Sequence, residues 1–222
     1  EDRVVIVTGA ARGLGREYAL MLAAHGAKVI VNDLGGARDG TGADLSPSED
    51  VVAEIKACGG EAEVSGADVS DFEAARTKIQ QAIDTYGRLD VLLNNAGILR
   101  DRMLVNMTEE EWDAVIKVHL KGTFAPSKHA AAYWREQSKA GPPVDARLIN
   151  TTSVSGIYGN AGQTNYGAAK MGVAGFTIIA ARELGRYGVT VNAIAPAALT
   201  RLTEDLMPGT LSEEQKRERD PR

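Results

Sequence analysis

The sequence predicts an α/β fold in which a mostly parallel sheet is covered by helices on both faces, and three observations predict it. Short apolar runs alternate with longer segments of 3.6-residue period along the chain. Several of those runs are nearly continuous in Val, Leu and Ile, the pattern of strands buried on both faces. Between the runs, helix starts are marked by hydroxyl residues followed by glutamate three positions on.

The elements follow in order. The first strand is expected at Val4 to Thr8, followed by a Gly-rich turn and a helix with apolar Leu14, Tyr18, Leu22 and Ala23. Val29 to Asp33 reads as the second strand, and Gly35 to Asp44, GGARDGTGAD, as a loop. Ser46-Pro47-Ser48-Glu49 then opens a helix with Ser46 at the N-cap and proline at the first helical position. Ala62 to Gly66 is the third strand, and Ser70-Asp71-Phe72-Glu73 starts the next helix with Ser70 at its N-cap. The fourth strand is placed at Leu89 to Asn94, and Thr108-Glu109-Glu110-Glu111 caps a further helix. After the loop Ala140 to Asp145, AGPPVD, come strands at Arg147 to Thr151 and Val189 to Ile194, with a helix between them. The βα repeat implies right-handed crossovers onto a central parallel sheet. One domain spanning 1–222 suits a chain of 222 residues. Beyond Pro196 the composition turns polar and charged, so 197–222 is expected to be a substrate lid or an incomplete terminal segment.

Composition narrows the function. With 25 basic and 30 acidic residues the formal charge is -5 and no long basic run exists, which argues against a nucleic-acid partner. Cys58 is the only cysteine, so no intrachain disulfide forms and a reducing, cytoplasmic setting is the default. Apolar stretches end well before the roughly 18 residues a membrane span needs, and Glu1 leads straight into a strand without a signal-like region. Neither His25 nor His129 has further ligands at suitable spacing, so no metal is expected.

Two constellations carry chemistry. Thr8-Gly9-Ala10-Ala11-Arg12-Gly13-Leu14-Gly15 joins a strand to a helix, where Gly9, Gly13 and Gly15 permit a tight turn and close approach to a pyrophosphate. The helix N-terminus offers unpaired N–H groups to that anion. A bare connecting turn has the same composition, and the setting between strand and helix favours the dinucleotide. Asp33 at the end of the second strand suits the ribose hydroxyls of NAD and opposes the 2'-phosphate of NADP, whereas Arg12 either meets such a phosphate or pairs with Asp33. Asp68 and Val69 are candidates for the adenine amino group and ring, with an ordinary helix-entry aspartate as the plainer reading.

The second constellation is Ser153, Tyr166 and Lys170. Tyr166 and Lys170 are four apart and share one helix face. A lysine charge there favours tyrosinate, so that the phenol exchanges a proton with an alcohol or carbonyl oxygen, while Ser153 binds the same oxygen. Trp112, Trp134 and Tyr158 read as packing residues, Tyr158 being the best placed of them to line a pocket. The helix from Tyr166 to Leu184 is rich in Ala and Gly, small enough for close packing on a neighbour.

Taken together, the TGxxxGxG turn at Thr8 to Gly15, Asn94-Asn95-Ala96-Gly97, Ser153 and YxxxK at Tyr166 to Lys170 resemble the short-chain dehydrogenase/reductase family over nearly the whole chain. The resemblance implies a doubly wound, Rossmann-like sheet, NAD(P) across the strand carboxyl ends, hydride transfer at nicotinamide C4, and no metal. It further implies that Asn95, Ala96 and Gly97 line the adenosine side, that Lys170 holds the nicotinamide ribose, and that the Tyr166 to Leu184 helix joins a homodimer or homotetramer. Within the family, Val31 to Gly36, Asn95 to Arg102, Val118 to Gly122 and Ser155 to Asn160, with Gly162-Gln163 and Asn165-Tyr166, are most similar to the 3-hydroxyacyl-coenzyme A dehydrogenase portions of peroxisomal multifunctional β-oxidation enzymes. Two positions depart from the family pattern. His119 stands where the family has asparagine, and either relays protons through a water or packs. Pro196-Ala197 stands where Pro-Gly is usual, with Thr200 or Thr203 left to cap the pyrophosphate. The expected function is an NAD-dependent oxidoreductase acting on a secondary alcohol or ketone, with a 3-hydroxyacyl thioester in view. The alternatives are an NADP-dependent carbonyl reductase and a dinucleotide-binding protein without turnover.

Overall fold

A computed structural model describes residues 2–197. Its six strands are β1 Val4–Thr8, β2 Lys28–Asn32, β3 Glu61–Ser65, β4 Val91–Asn94, β5 Ala146–Thr151 and β6 Val189–Ile194. All pair in parallel, in the order β3-β2-β1-β4-β5-β6. The chain winds outward from β1 in one direction and returns to build β4, β5 and β6 on the other side. The order therefore reverses between β1 and β4, which opens a crevice at their carboxyl ends.

Alternation along β1 explains why both faces must be covered. Val4 and Ile6 pack with Leu92, Leu148, Ile79 and Trp134 on one face, while Val5 and Val7 pack with Val29, Val31, Ala19 and Ile55 on the other. The first face is closed by α3 (Phe72–Tyr86), α5 (Gly122–Ala140) and α7 (Thr164–Leu184), the second by α1 (Gly13–Ala24) and α2 (Ser46–Ala57). Trp134 is a core residue whose indole N–H donates to Leu89 O at 2.7 Å. Under the crevice, Asn94 donates to Ser127 Oγ and Asn150 Oδ1, both at 2.9 Å, and Asn150 donates to Thr177 Oγ1 at 2.9 Å. That buried polar ladder ties β4 and β5 to α5 and α7.

Local chemistry moves several boundaries. Thr108 caps α4 (Glu109–Ile116) with the full reciprocal box to Glu111, as its sequence predicts. Ser46 instead lies inside α2, because the Asp44 carboxylate takes its N–H at 3.0 Å. Asp71, not Ser70, caps α3 by accepting from Ala74 N at 2.7 Å, while Ser70 sits one residue earlier and donates both its N–H and its hydroxyl to Asp68 Oδ1. β2 stops at Asn32, which places Asp33 just past the strand.

Candidate active site

A cleft of about 800 Å³ runs along the carboxyl ends of the strands, with Asp33 and Asp68 at one end and Ser153, Tyr166 and Lys170 at the other. Gly9, Arg12, Gly13, Leu14, Val69 and Pro196 line it, as do Asn95, Ala96, Gly97 and His119. Gly15 does not. Its place is structural: a Cβ there would lie 2.0 Å from Gly9 O, so only glycine lets α1 start against the turn. Gly9 has φ +66° and a Cβ on it would meet Ala96 Cα at 2.7 Å, so it is demanded by both conformation and contact. Thr200, Thr203 and the segment expected to form a lid, apart from Ala197, lie outside the described residues.

The turn and the loop after β4 hold each other. Thr8 Oγ1 accepts from Asn95 N at 2.9 Å and Ala96 N at 3.1 Å, while the Asn95 side chain donates to Thr8 O and Gly9 O, each at 3.2 Å. The N-terminus of α1 has no side-chain cap and no acidic residue in its first turn, leaving backbone donors facing the cleft. That donor set fits a pyrophosphate. Asp33 is fixed by accepting from Ala11 N at 3.0 Å and Gly35 N at 2.7 Å. Arg12 does not pair with it. Its guanidinium reaches Gly36 O at 3.5 Å; the nearby Asp44 carboxyl is held below its usual range by hydrogen bonds from the Ser46 hydroxyl and N–H, with the Arg12 charge a lesser contribution.

At the opposite end, Ser153 sits at the N-cap of α6 (Val154–Tyr158), just past β5, and Tyr166 and Lys170 project from the first turns of α7. Burial raises the Tyr166 pKa, and a hydrogen bond from the Ser153 hydroxyl opposes that rise. Lys170 is buried, its Nζ donates to Thr151 O at 2.6 Å, and desolvation pushes its pKa down to about 7. The ammonium lies 5.6 Å from the phenol ring centroid. Burial therefore sets the direction at this phenol, where the sequence leads us to expect the lysine to favour tyrosinate.

His119 lies in a π-helical segment, Lys117–Lys121, between α4 and α5. Such bulges accommodate an extra residue in a helix and occur at functional sites. Its Nε2 sits 2.8 Å from Ile98 O and 3.1 Å from Ile98 N, and its ring lies edge-on to Tyr166 with centroids 5.1 Å apart. The shorter contact favours a proton on Nε2 donated to the carbonyl. Desolvation, helped by the Lys170 charge, pushes the ring pKa down to about 3. A Cβ on Gly97 would meet His119 Cε1 at 2.4 Å, so glycine there makes room for the imidazole.

The sequence marks Asn165 only as part of a matching segment and assigns it no role, yet it seats the tyrosine. Asn165 is fully buried; its Oδ1 accepts from Tyr166 N at 2.7 Å and its Nδ2 donates to Arg100 O at 3.0 Å and Glu111 O at 3.1 Å. Gln163 adds a 2.8 Å bond to Asp101. A polar residue beside the tyrosine was the only local signal. Tyr158, considered for the pocket wall, is 84% exposed and does not line the cleft. His129 is taken up by Phe72 O at 3.0 Å. Among the described residues no group of three His, Cys, Asp or Glu could hold a metal, and no helix is long and apolar enough to cross a membrane.

A doubly wound parallel sheet, with bare helix donors at one end of its crevice and a Ser–Tyr–Lys cluster at the other, defines a dinucleotide-type oxidoreductase. The short chain dehydrogenase family profile matches residues 3–209, and the chain belongs to that family. It is 49% identical over 210 residues to the hydroxyacyl-CoA dehydrogenase ChsB1 of Mycobacterium tuberculosis, covering 92% of this chain and 63% of that protein. It is 48% identical over 216 residues to the peroxisomal multifunctional enzyme type 2 of Drosophila melanogaster, covering 97% of this chain but 35% of the relative. The crystal structure of a short chain dehydrogenase from Mycobacterium avium matches with TM-score 0.85 and 59% identity over 90% of this chain and 69% of that one. The likeness to peroxisomal multifunctional enzymes that the sequence predicts is thus found, as is the Rossmann-like fold.

Proposed function

We propose that the protein interconverts a secondary alcohol and its ketone with NAD, and that its substrate class is a 3-hydroxyacyl thioester. The observation that carries the reading is that Ser153, the partly buried Tyr166 and the buried Lys170, whose Nζ lies 5.6 Å from the Tyr166 ring centroid, line one continuous cleft with Asp33. The relatives' names, a hydroxyacyl-CoA dehydrogenase and a peroxisomal multifunctional enzyme, support the thioester.

When bound, NAD supplies a nicotinamide that accepts or donates the hydride. Gly9, Arg12, Gly13 and Leu14 hold its pyrophosphate, Asp33 its adenosine ribose, Asp68 and Val69 its adenine, and Lys170 its nicotinamide ribose. Asn95, Ala96 and Gly97 back the adenosine side, and Pro196 closes the other end. Tyr166 is the acid/base: its raised pKa keeps a proton on the phenol for delivery to a forming alkoxide. Ser153 donates to the same oxygen and stabilises charge on it. His119 is a positioning residue that fixes the Gly97–Ile98 backbone and packs against the Tyr166 ring.

Asp33 supports NAD over NADP because a 2'-phosphate would face its carboxylate. Arg12 in the cleft wall keeps NADP-linked carbonyl reduction as the second reading. Exposed Phe124 on α5 and Ile178 and Ile179 on α7 support a homodimer or homotetramer through the 166–184 helix. The unpaired, exposed Cys58 fits a cytoplasmic setting. The test is NAD reduction across 3-hydroxyacyl thioesters, steroids and small cyclic alcohols, beside direct titration with NAD and NADP. Turnover confined to the non-thioester alcohols overturns the substrate class, and equal affinity for the two dinucleotides overturns the role of Asp33.

A further inference from the structure

Lys78 is a charged residue with no place in the chemistry above, yet it is among the largest fully buried side chains of the protein, at 0% exposure. It projects from α3 and its Nζ donates to Asn32 Oδ1 at 2.8 Å. That contact fixes which way the Asn32 amide points. With Oδ1 turned to the ammonium, Nδ2 donates to Ser65 O and Ala67 O, both at 2.9 Å. Ser65 ends β3, and Ala67 immediately precedes Asp68 and Val69. The same asparagine accepts from Ala10 N through its main-chain carbonyl at 3.1 Å, and the next residue, Asp33, donates its N–H to Ser65 O at 3.0 Å. Asn32 therefore joins the Gly-rich turn through its main-chain carbonyl and the segment leading to Asp68 through its side-chain amide, which shares Ser65 O with the Asp33 N–H, and Asn32, Ala67 and Asp68 all line the cleft.

We propose that Lys78 is a positioning residue for the adenine end of the cleft: by orienting Asn32 it fixes the backbone that carries Asp68 and Val69. The inference rests on the reading above that the adenosine half of a dinucleotide lies there. A residue that merely filled the core would do so at lower cost as methionine, because burying an ammonium carries a desolvation penalty. That penalty is visible as a pKa pushed down to about 7, with the Asp68 charge pulling it back up. Asp68 is itself pinned through Oδ1 by Ser70 N at 2.8 Å and Ser70 Oγ at 2.7 Å, so the lysine and the serine fix the adenine-facing loop from two sides.

The test compares the full chain with its Lys78→Met and Lys78→Gln variants. The readouts are ADP affinity, which probes the adenosine half alone, nicotinamide mononucleotide affinity, and KM for NAD against kcat at saturating NAD. In Lys78→Met the KM for NAD and the Kd for ADP rise about tenfold, while kcat and the affinity for nicotinamide mononucleotide stay within twofold of wild type. Lys78→Gln keeps a donor toward Asn32 Oδ1 and recovers most of the ADP affinity. Should the methionine variant not fold, Asn32→Asp, which keeps the lysine paired but loses both Nδ2 bonds, reproduces the ADP defect. Unchanged ADP affinity in these variants overturns the proposal, and so does a loss shared equally by ADP and nicotinamide mononucleotide. Wild-type protein that binds no ADP at all is a different result: it removes the functional reading itself.

Discussion

Two lysines buried in one small domain impose a pH dependence on its stability. The pKa values of Lys78 and Lys170 are both pushed down to about 7 by desolvation, from 10.5. Between pH 7 and 10.5 the unfolded chain holds a proton on each that the folded chain has released, so the unfolded state binds more protons and stability rises with pH. Integrated from pH 7 to 9, each lysine contributes about 2 kcal/mol, or roughly 4 kcal/mol for the pair. Carboxyls with lowered pKa act only below about pH 5 and leave this window clear. Tyr18, Tyr86 and Tyr166 have raised pKa values and keep protons that the unfolded chain loses, so their contribution reverses the trend above about pH 10. Urea denaturation at constant ionic strength, in steps from pH 7 to 9, measures the effect as a rising midpoint at constant m-value. Lys78→Met and Lys170→Met should each remove about half of the slope. A flat or falling stability across this window in the wild type, or a slope that survives in both variants, would refute the reasoning.

Three further outcomes are expected. Tyr166→Phe should lower turnover by about 10²- to 10⁴-fold while NADH affinity, followed by fluorescence titration, stays within threefold. Asn165→Ala removes three buried hydrogen bonds and strands two carbonyls and an N–H, so it should cost ~3 kcal/mol and lower Tm by roughly 6–12 °C in calorimetry, with turnover falling as Tyr166 loses its seat. His119→Asn should leave the inflections of the pH–rate profile between pH 6 and 9 where they are, because the ring pKa of about 3 keeps the imidazole neutral throughout that range. An inflection that moves with this substitution would show that the imidazole titrates during turnover.

What could be read from the sequence was what local rules govern. Val4 to Thr8 and Val189 to Ile194 are strands with the bounds their apolar runs predict; the first is buried along its whole length, whereas the second, at the end of the sheet order, buries Val189 and Val191 and exposes Thr190 and Asn192. Thr108 caps its helix because hydroxyl and glutamate lie within one turn of each other. The same rule misplaced the caps at Ser46 and Ser70: Asp44 accepts from Ser46 N, Asp68 accepts from both Ser70 donors, and Asp71 takes the capping bond from Ala74 N. Spacing alone brought Tyr166 and Lys170 onto one face, but it did not say how deeply they would be buried, and burial sets the direction of both pKa shifts.

The residues that sequence reasoning passed over share a physical property: their partners are far away along the chain. Lys78 meets Asn32 across 46 positions, and Asn165 meets Arg100 across 65. On periodicity alone, a lysine in an amphipathic helix belongs to the solvated face and an asparagine at a helix start to a cap. Their burial becomes affordable only when the sheet order sets the carboxyl end of β2 beneath α3 and the start of α7 against the loop after β4. The acceptor of the Lys78 ammonium and both acceptors of the Asn165 amide N–H groups then lie outside any local window, and only the Asn165 oxygen finds its partner next door, at Tyr166 N. The nucleophile-like and charge-bearing residues of this cleft follow from motif spacing, whereas the residues that hold them in register follow from topology. Substitutions at the second kind should therefore separate cofactor affinity and stability from the chemical step, while those at Ser153 and Tyr166 act on the chemical step first.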